Sequence, residues 1–321
     1  MAVDISRVGG PALVRGPARR RTSFVSLVAG WWRGSAATLV FLLPMLLVFG
    51  LFSWWPIART VVMSLQETNL VGPAEWVGLD NFRTVLSDPL LPVALRNTAV
   101  FAAIAFVFGY PIPLVMAVVF SSLRRLRGLY ACLAYLPVVV PPAVAVLLWK
   151  TFYDAGSGGV FNTVLGWVGL GPVPWLESAD WVLPSLVMEA TWAAAGGTVI
   201  IYLAALTTVP QELYDAASAD GAGVLGKVWH VTLPHLRPVL LITLILQIIG
   251  TAQVFLEPYL FTGGGPSHAS LTLLLLIYEY AFGSTTGGGD YGSATALSLM
   301  MAVGLALLSW LYFRLTRGWS D

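Results

Sequence analysis

Apolar residues in this chain come in long unbroken runs, without the alternation or one-faced periodicity of a soluble fold. Six runs, near residues 38–55, 98–120, 130–152, 182–206, 239–261 and 292–313, suit helices crossing about 30 Å of hydrocarbon, which takes roughly 20 residues. A seventh run, 271–282, is short and holds Glu279; it is predicted to be a helix lying at the outer surface. Between the fourth and fifth runs the pattern turns polar over residues 210–234. There Leu213, Ala216, Ala217 and Ala219 supply small or apolar contacts on a short amphipathic helix that starts at Pro210. Asp220-Gly221-Ala222-Gly223 breaks it, and a second helical turn through Val224, Leu225, Val228 and Trp229 is predicted to close at Pro234. The expected fold is all-α and integral to a membrane, with six transmembrane helices and a helix, glycine bend and helix at one surface.

Composition agrees with that class. The chain is 57% hydrophobic and 10% charged with mean hydropathy +0.80, where soluble domains carry about a quarter charged residues. A net charge of +1 argues against a nucleic-acid partner. The distribution of charge says more than its total. Arg7, Arg15, Arg19, Arg20, Arg21 and Arg33 precede the first run, and Arg124, Arg125, Arg127, Lys227, Arg237, Arg314 and Arg317 follow the even-numbered ones. Thirteen of seventeen basic residues thus share one side of a six-crossing arrangement, which puts both termini and the 210–234 segment in the cytoplasm. The opposite loops carry Glu67, Glu75, Asp80, Asp88, Asp154, Glu177, Asp180 and Asp290. Residues 1–37 read as a disordered basic tail and 38–321 as the membrane domain. A cleaved signal peptide is the alternative for the N-terminus, but the run at 38–55 exceeds an ordinary h-region of about 7–15 residues.

Candidate chemistry is sparse. Cys132 lies inside an apolar run and reads as a small buried hydrophobe, and His230, His235 and His268 have no metal-ligand spacing. Residues 221–227 have the G-x4-G-K spacing of a phosphate-binding loop. Val228 stands where a magnesium-holding hydroxyl belongs, however, and no strand precedes. Residues 287–292 spell G-x-G-x-x-G ahead of a membrane helix rather than after a strand, which makes them a flexible turn. No nucleophile, base and orienting group recur together, so no catalytic centre is expected.

Asp215-Ala216-Ala217, Gly221 three residues on, and Leu233-Pro234 after nine more and the Val231-Thr232 pair have the spacing E-A-A-x3-G-x9-I-x-L-P. This resembles the EAA loop of ABC importer permeases, with Asp215 replacing the usual Glu and Val231 the usual Ile. Residues 76–82, WVGLDNF, the Ser87-Asp88-Pro89 after them, and residues 261–266, FTGGGP, resemble segments of the carbohydrate-uptake permeases, such as those for maltose and glycerol phosphate. The resemblance implies a six-helix permease subunit of the prokaryotic plasma membrane, importing a sugar, polyol or sugar phosphate. It implies four partners besides lipid: a second permease, two ATP-binding subunits and an extracytoplasmic solute-binding protein. ATP and Mg would be used by the ATPase, with no cofactor on this chain. Asp215, Ala216, Ala217, Asp220, Gly221, Ala222, Leu233 and Pro234 would form the coupling segment that docks on it.

For the solute path, Glu189 lies within the fourth run with Trp192 on nearly the same face, and Gly196-Gly197 a turn further leave room beside them. Gln247 and Gln253 on the fifth helix would add amide contacts. A structural hydrogen bond from Glu189 is the other reading of that residue. A secondary, ion-coupled transporter is the rival function; it needs ionisable groups in the membrane, and Glu189 is the clear one.

Overall fold

The computed structural model describes residues 38, 40–123, 125–156, 158–283 and 289–317. The basic tail up to residue 37, Arg124 and most of the glycine turn before Asp290 lie outside them. The chain divides into two units, Met1–Ala58 and Arg59–Asp321, and the packing described below belongs to the second.

In hydrocarbon a lone segment satisfies its own N–H and C=O groups only as a helix. The described elements follow suit: α1 (Val40–Met63), α2 (Asp80–Ser87), α3 (Leu90–Ser122), α4 (Arg127–Val139), α5 (Pro142–Phe152) and α6 (Val160–Trp167) come first. Then come α7 (Val182–Leu206), α8 (Gln211–Ala219), α9 (Val224–Ala252), α10 (Leu256–Thr262), α11 (Leu273–Phe282) and α12 (Tyr291–Thr316). One two-stranded antiparallel sheet, β1 (Gln66–Glu67) with β2 (Glu75–Trp76), joins α1 to α2. Among the described residues α1, α3, α7, α9 and α12 are long and apolar enough to cross a membrane, and α4 with α5 makes a sixth if the bent pair is one span.

The prolines account for most differences from the predicted bounds. α1 runs past Trp55, and α9 begins at Val224 rather than at 239, because neither Pro56 nor Pro234 ends its helix. One residue before each proline a π turn closes: Trp55 N–H reaches the Gly50 carbonyl, Tyr110 N–H the Ala105 carbonyl (2.8 Å) and Leu233 N–H the Val228 carbonyl. A proline lacks its own N–H and crowds the carbonyl four residues back. The wider turn absorbs both defects, so Pro56, Pro111 and Pro234 continue helices instead of closing them.

At Pro141-Pro142 no such turn forms. Val140 is extended (ψ 128°), as a residue before proline prefers, and the predicted helix 130–152 becomes α4 and α5 bent by 99°. The run at 239–261 also divides, after Ala252. The Val254 carbonyl accepts a hydrogen bond from the buried Thr272 hydroxyl (2.9 Å) in place of a helical donor, and α10 carries the remainder. α3 starts at Leu90, earlier than 98, since Asn97 is no boundary residue. It is buried and donates to the carbonyls of His268 (2.7 Å) and Leu271 (3.0 Å).

α7 is the centre of the body. Leu183, Leu186 and Val187 pack with Phe101, Trp149, Tyr153 and Phe261, and Val199, Tyr202 and Leu203 pack with Ala117. Gly196 lets α4 approach: a Cβ there would overlap the Ala134 carbonyl, so backbone fills the expected room at Gly196, while Gly197 has open space beside it. α11, predicted as a helix at the outer surface, packs Leu275 and Leu276 against α3 and α12. Cys132 is exposed, since a helix at the rim of a membrane chain turns part of its apolar surface to lipid or to a partner.

Candidate functional site

The 210–234 segment is built as a helix, a bend and a helix. Pro210 stands just ahead of α8 at its N-cap, and Glu212 in the first turn complements the helix dipole. At the other end Ala222 N–H reaches the Ala217 carbonyl (2.8 Å) and Gly221 N–H the Ser218 carbonyl (3.0 Å). This is a Schellman cap, and Gly221 takes the left-handed position it demands, with φ +80°. Asp215 and Ala216 are exposed, and the Asp215 Oδ1 accepts from Gln211 Nε2 at 3.2 Å. Asp220 is exposed at the C-cap, Ala222 is half-buried in the bend, and Leu233 (half-buried) and Pro234 (exposed) lie within α9.

Two features of this segment escape a reading by spacing alone. Val224, Leu225 and Trp229, with Leu213 on α8, are exposed to 76%, 84%, 69% and 45%, apolar side chains standing out of an otherwise mostly polar segment. Tyr214 hydroxyl hydrogen-bonds the buried Thr232 hydroxyl at 3.1 Å, tying α8 to the π turn of α9. Residues 221–227 with the phosphate-loop spacing are this bend and the first turn of α9, preceded by a helix.

A second feature lies deeper. A cavity of about 540 Å³ opens between α3, α7, α9 and α10, walled by apolar groups such as Phe101, Val187 and Leu246. Its polar lining is Thr191, Thr198, Thr243, Gln247, Thr251, Gln253 and Glu257. Thr243 and Thr251 turn their hydroxyls back to carbonyls of their own helix, at 3.0 and 2.9 Å. The two amides, Thr191, Thr198 and Glu257 are the remaining polar residues of the lining. Burial holds the Glu257 carboxyl above the usual carboxylate range, against a hydrogen bond from its own backbone N–H.

Of the four predicted solute-path residues, Gln247 and Gln253 line this cavity; Glu189 and Trp192 do not. Trp192 packs on Trp149 with ring centroids 5.5 Å apart. Glu189 is 2% exposed, and its Oε2 has no hydrogen-bond partner among the described residues. Glu257 had a signal in the sequence, as an acid inside the fifth apolar run.

Residues 109–321 match the family described as binding-protein-dependent transport system inner membrane component. The chain is 31% identical over 275 residues to the arabinooligosaccharides transport system permease protein AraP of Halalkalibacterium halodurans, covering 85% of this chain and 86% of that one. To the lactose transport system permease protein LacF of Rhizobium radiobacter it is 32% identical over 286 residues, covering 87% and 93%. Its fold matches a chain of a bacterial ABC transporter involved in the import of the acidic polysaccharide alginate. The TM-score is 0.79 at 24% identity, over 92% of this chain and 100% of that one.

Proposed function

The chain belongs to the binding-protein-dependent transport system inner membrane components, and from that premise we propose that it forms the sugar path of an ATP-driven importer and couples it to ATP hydrolysis through α8 and α9. It is a multi-pass subunit of the bacterial plasma membrane, similar over most of its length to permeases for arabinooligosaccharides and lactose. Six crossings result when α4 and α5 count as one, with both termini and α8 in the cytoplasm, as the basic residues favour. A second permease, two ATP-binding subunits and an extracytoplasmic binding protein complete the assembly. Asp215, Ala216, Ala217, Asp220, Gly221, Ala222, Leu233 and Pro234 belong to the coupling segment, and nucleotide and Mg stay on the ATPase.

One observation carries this reading: coupling segment and cavity share a helix. α9 runs from Val224, in the exposed apolar surface, to Gln247 at the cavity wall without ending, about 34 Å at 1.5 Å per residue. Movement of α8 on a closing ATPase passes through the Gly221 cap and the Tyr214–Thr232 bond into the base of α9. A packed helix transmits it as rigid-body motion to Gln247. Gln247, Gln253 and Glu257 offer the mixed donors and acceptors that sugar hydroxyls need, beside the apolar wall a pyranose face needs. Glu189 and Trp192 stand behind that wall and hold its shape.

The test is Gly221→Val in the complete importer, reconstituted in lipid. A β-branched residue resists φ +80°, so the variant is expected in the membrane at normal level, with uptake abolished and no ATPase stimulation by binding protein. Normal uptake would show the segment to be passive.

A further inference from the structure

Membership of the family leaves the charge of the solute open: the matched proteins are described as carrying arabinooligosaccharides, lactose and the acidic polysaccharide alginate. The chemistry of this cavity bears on that choice. Among its described lining residues none is Lys, Arg or His, and Glu257 is the one carboxylic acid. Glu189 on α7, outside that lining, is a second buried acid. Gln247, Gln253, Thr191 and Thr198 are neutral, and each is both donor and acceptor, as a sugar hydroxyl is.

A carboxylate, phosphate or sulfonate entering this space would give up hydration and meet no counter-charge. With Glu257 ionised the solute meets a like charge in a poorly screened place. With Glu257 protonated it still finds no cation, and its own charge holds that proton on. Both protonation states therefore act against an anion, and neither acts against a neutral hydroxyl.

Resting on the sugar-import reading above, we propose that the cavity takes uncharged, hydroxyl-rich glycosides and excludes acidic ones, and that Glu257 is the residue that sets this selectivity. A sugar phosphate falls outside that class. Glu257 also sits in the first turn of the short α10, where an acid complements the exposed N–H groups. A purely structural role of that kind would leave charge preference untouched, which the test exploits.

The importer is purified with its partner permease and ATPase subunits but without binding protein, so the binding protein's own selectivity plays no part. Binding of lactose, arabinotriose and maltotriose is measured against uronic-acid oligosaccharides of matched length, for the unaltered complex, Glu257→Gln and Glu257→Lys, each checked for assembly by size-exclusion chromatography. In the unaltered complex at least one neutral probe is expected to bind, and its acidic counterpart at least ~10-fold more weakly. Glu257→Gln is expected to narrow the ratio to within ~3-fold, and Glu257→Lys to turn it toward the acid. Equal binding of acidic and neutral probes by the unaltered complex would overturn the inference and leave the sugar reading standing. Binding of no glycoside of either kind would overturn the sugar reading and this inference with it. An unchanged ratio in both assembled variants would overturn the role of Glu257.

Discussion

Open space surrounds position 221, so the demand for glycine there comes from the backbone: φ is +80° and an added Cβ meets nothing within 4 Å. Left-handed backbone costs an ordinary L-residue about 1–2 kcal/mol, and Asn less than most. Gly221→Asn should therefore retain part of the uptake that Gly221→Val loses, measured side by side in proteoliposomes. At Tyr214 a single hydroxyl bond, 3.1 Å to Thr232, ties α8 to α9. Tyr214→Phe removes it and keeps the ring, a loss of about 0.5–1.5 kcal/mol, so uptake is expected to slow by up to about tenfold while the ATPase still co-purifies. Complete co-purification with unslowed uptake would exclude this link from coupling. Asp215 is exposed and bonded to Gln211, so Asp215→Ala should be milder than Gly221→Val, and Asp215→Glu neutral or better. Spacing alone singled out Asp215, Ala216, Ala217, Gly221, Leu233 and Pro234. It passed over Tyr214, whose partner lies eighteen positions on, and Glu257, an acid inside the fifth apolar run that no motif spacing marks.

Among the elements, α7 shows what a sequence makes plain. Residues 182–206 are uninterrupted after Pro184 in the first turn, and the helix has the predicted bounds. Helices with internal prolines were less legible, because proline's local effect depends on what the preceding turn does. Before Pro56, Pro111 and Pro234 the turn widens and the helix goes on; at Pro141-Pro142 it does not, and the chain bends by 99°. That choice is made by packing, which the pattern of apolar residues does not encode. Helix contact follows the same logic at Gly196, where a side chain would strike the Ala134 carbonyl, whereas Gly197 one position on has open space. Gly196→Leu should prevent stable assembly and Gly197→Ala should not, as size-exclusion profiles of the two complexes in detergent would show. Equal behaviour of the pair would mean that α4 and α7 do not meet at Gly196.

For the whole molecule, the side of the membrane is fixed by charge rather than by fold. With thirteen of seventeen basic residues on one face of six crossings, a reporter fused after Arg317 should be cytoplasmic and one inserted at Gly158 external; the reverse would reject the topology. That the described residues hold five long apolar helices, and a sixth crossing if α4 and α5 count as one, was legible in outline because hydrocarbon thickness sets helix length. The cavity was legible only in part: the sequence pointed to Gln247 and Gln253, but Thr191 and Glu257 join them only through the packing of α7 and the break after Ala252. The central claim is that motion driven by ATP enters at α8 and reaches the cavity along α9. Its most direct test is solute uptake by proteoliposomes holding the full complex, with binding protein outside and ATP inside. Uptake should require ATP and binding protein, persist when ionophores collapse the proton and sodium gradients, and vanish in Gly221→Val; uptake by this chain alone, driven by an ion gradient without ATP, would contradict the account.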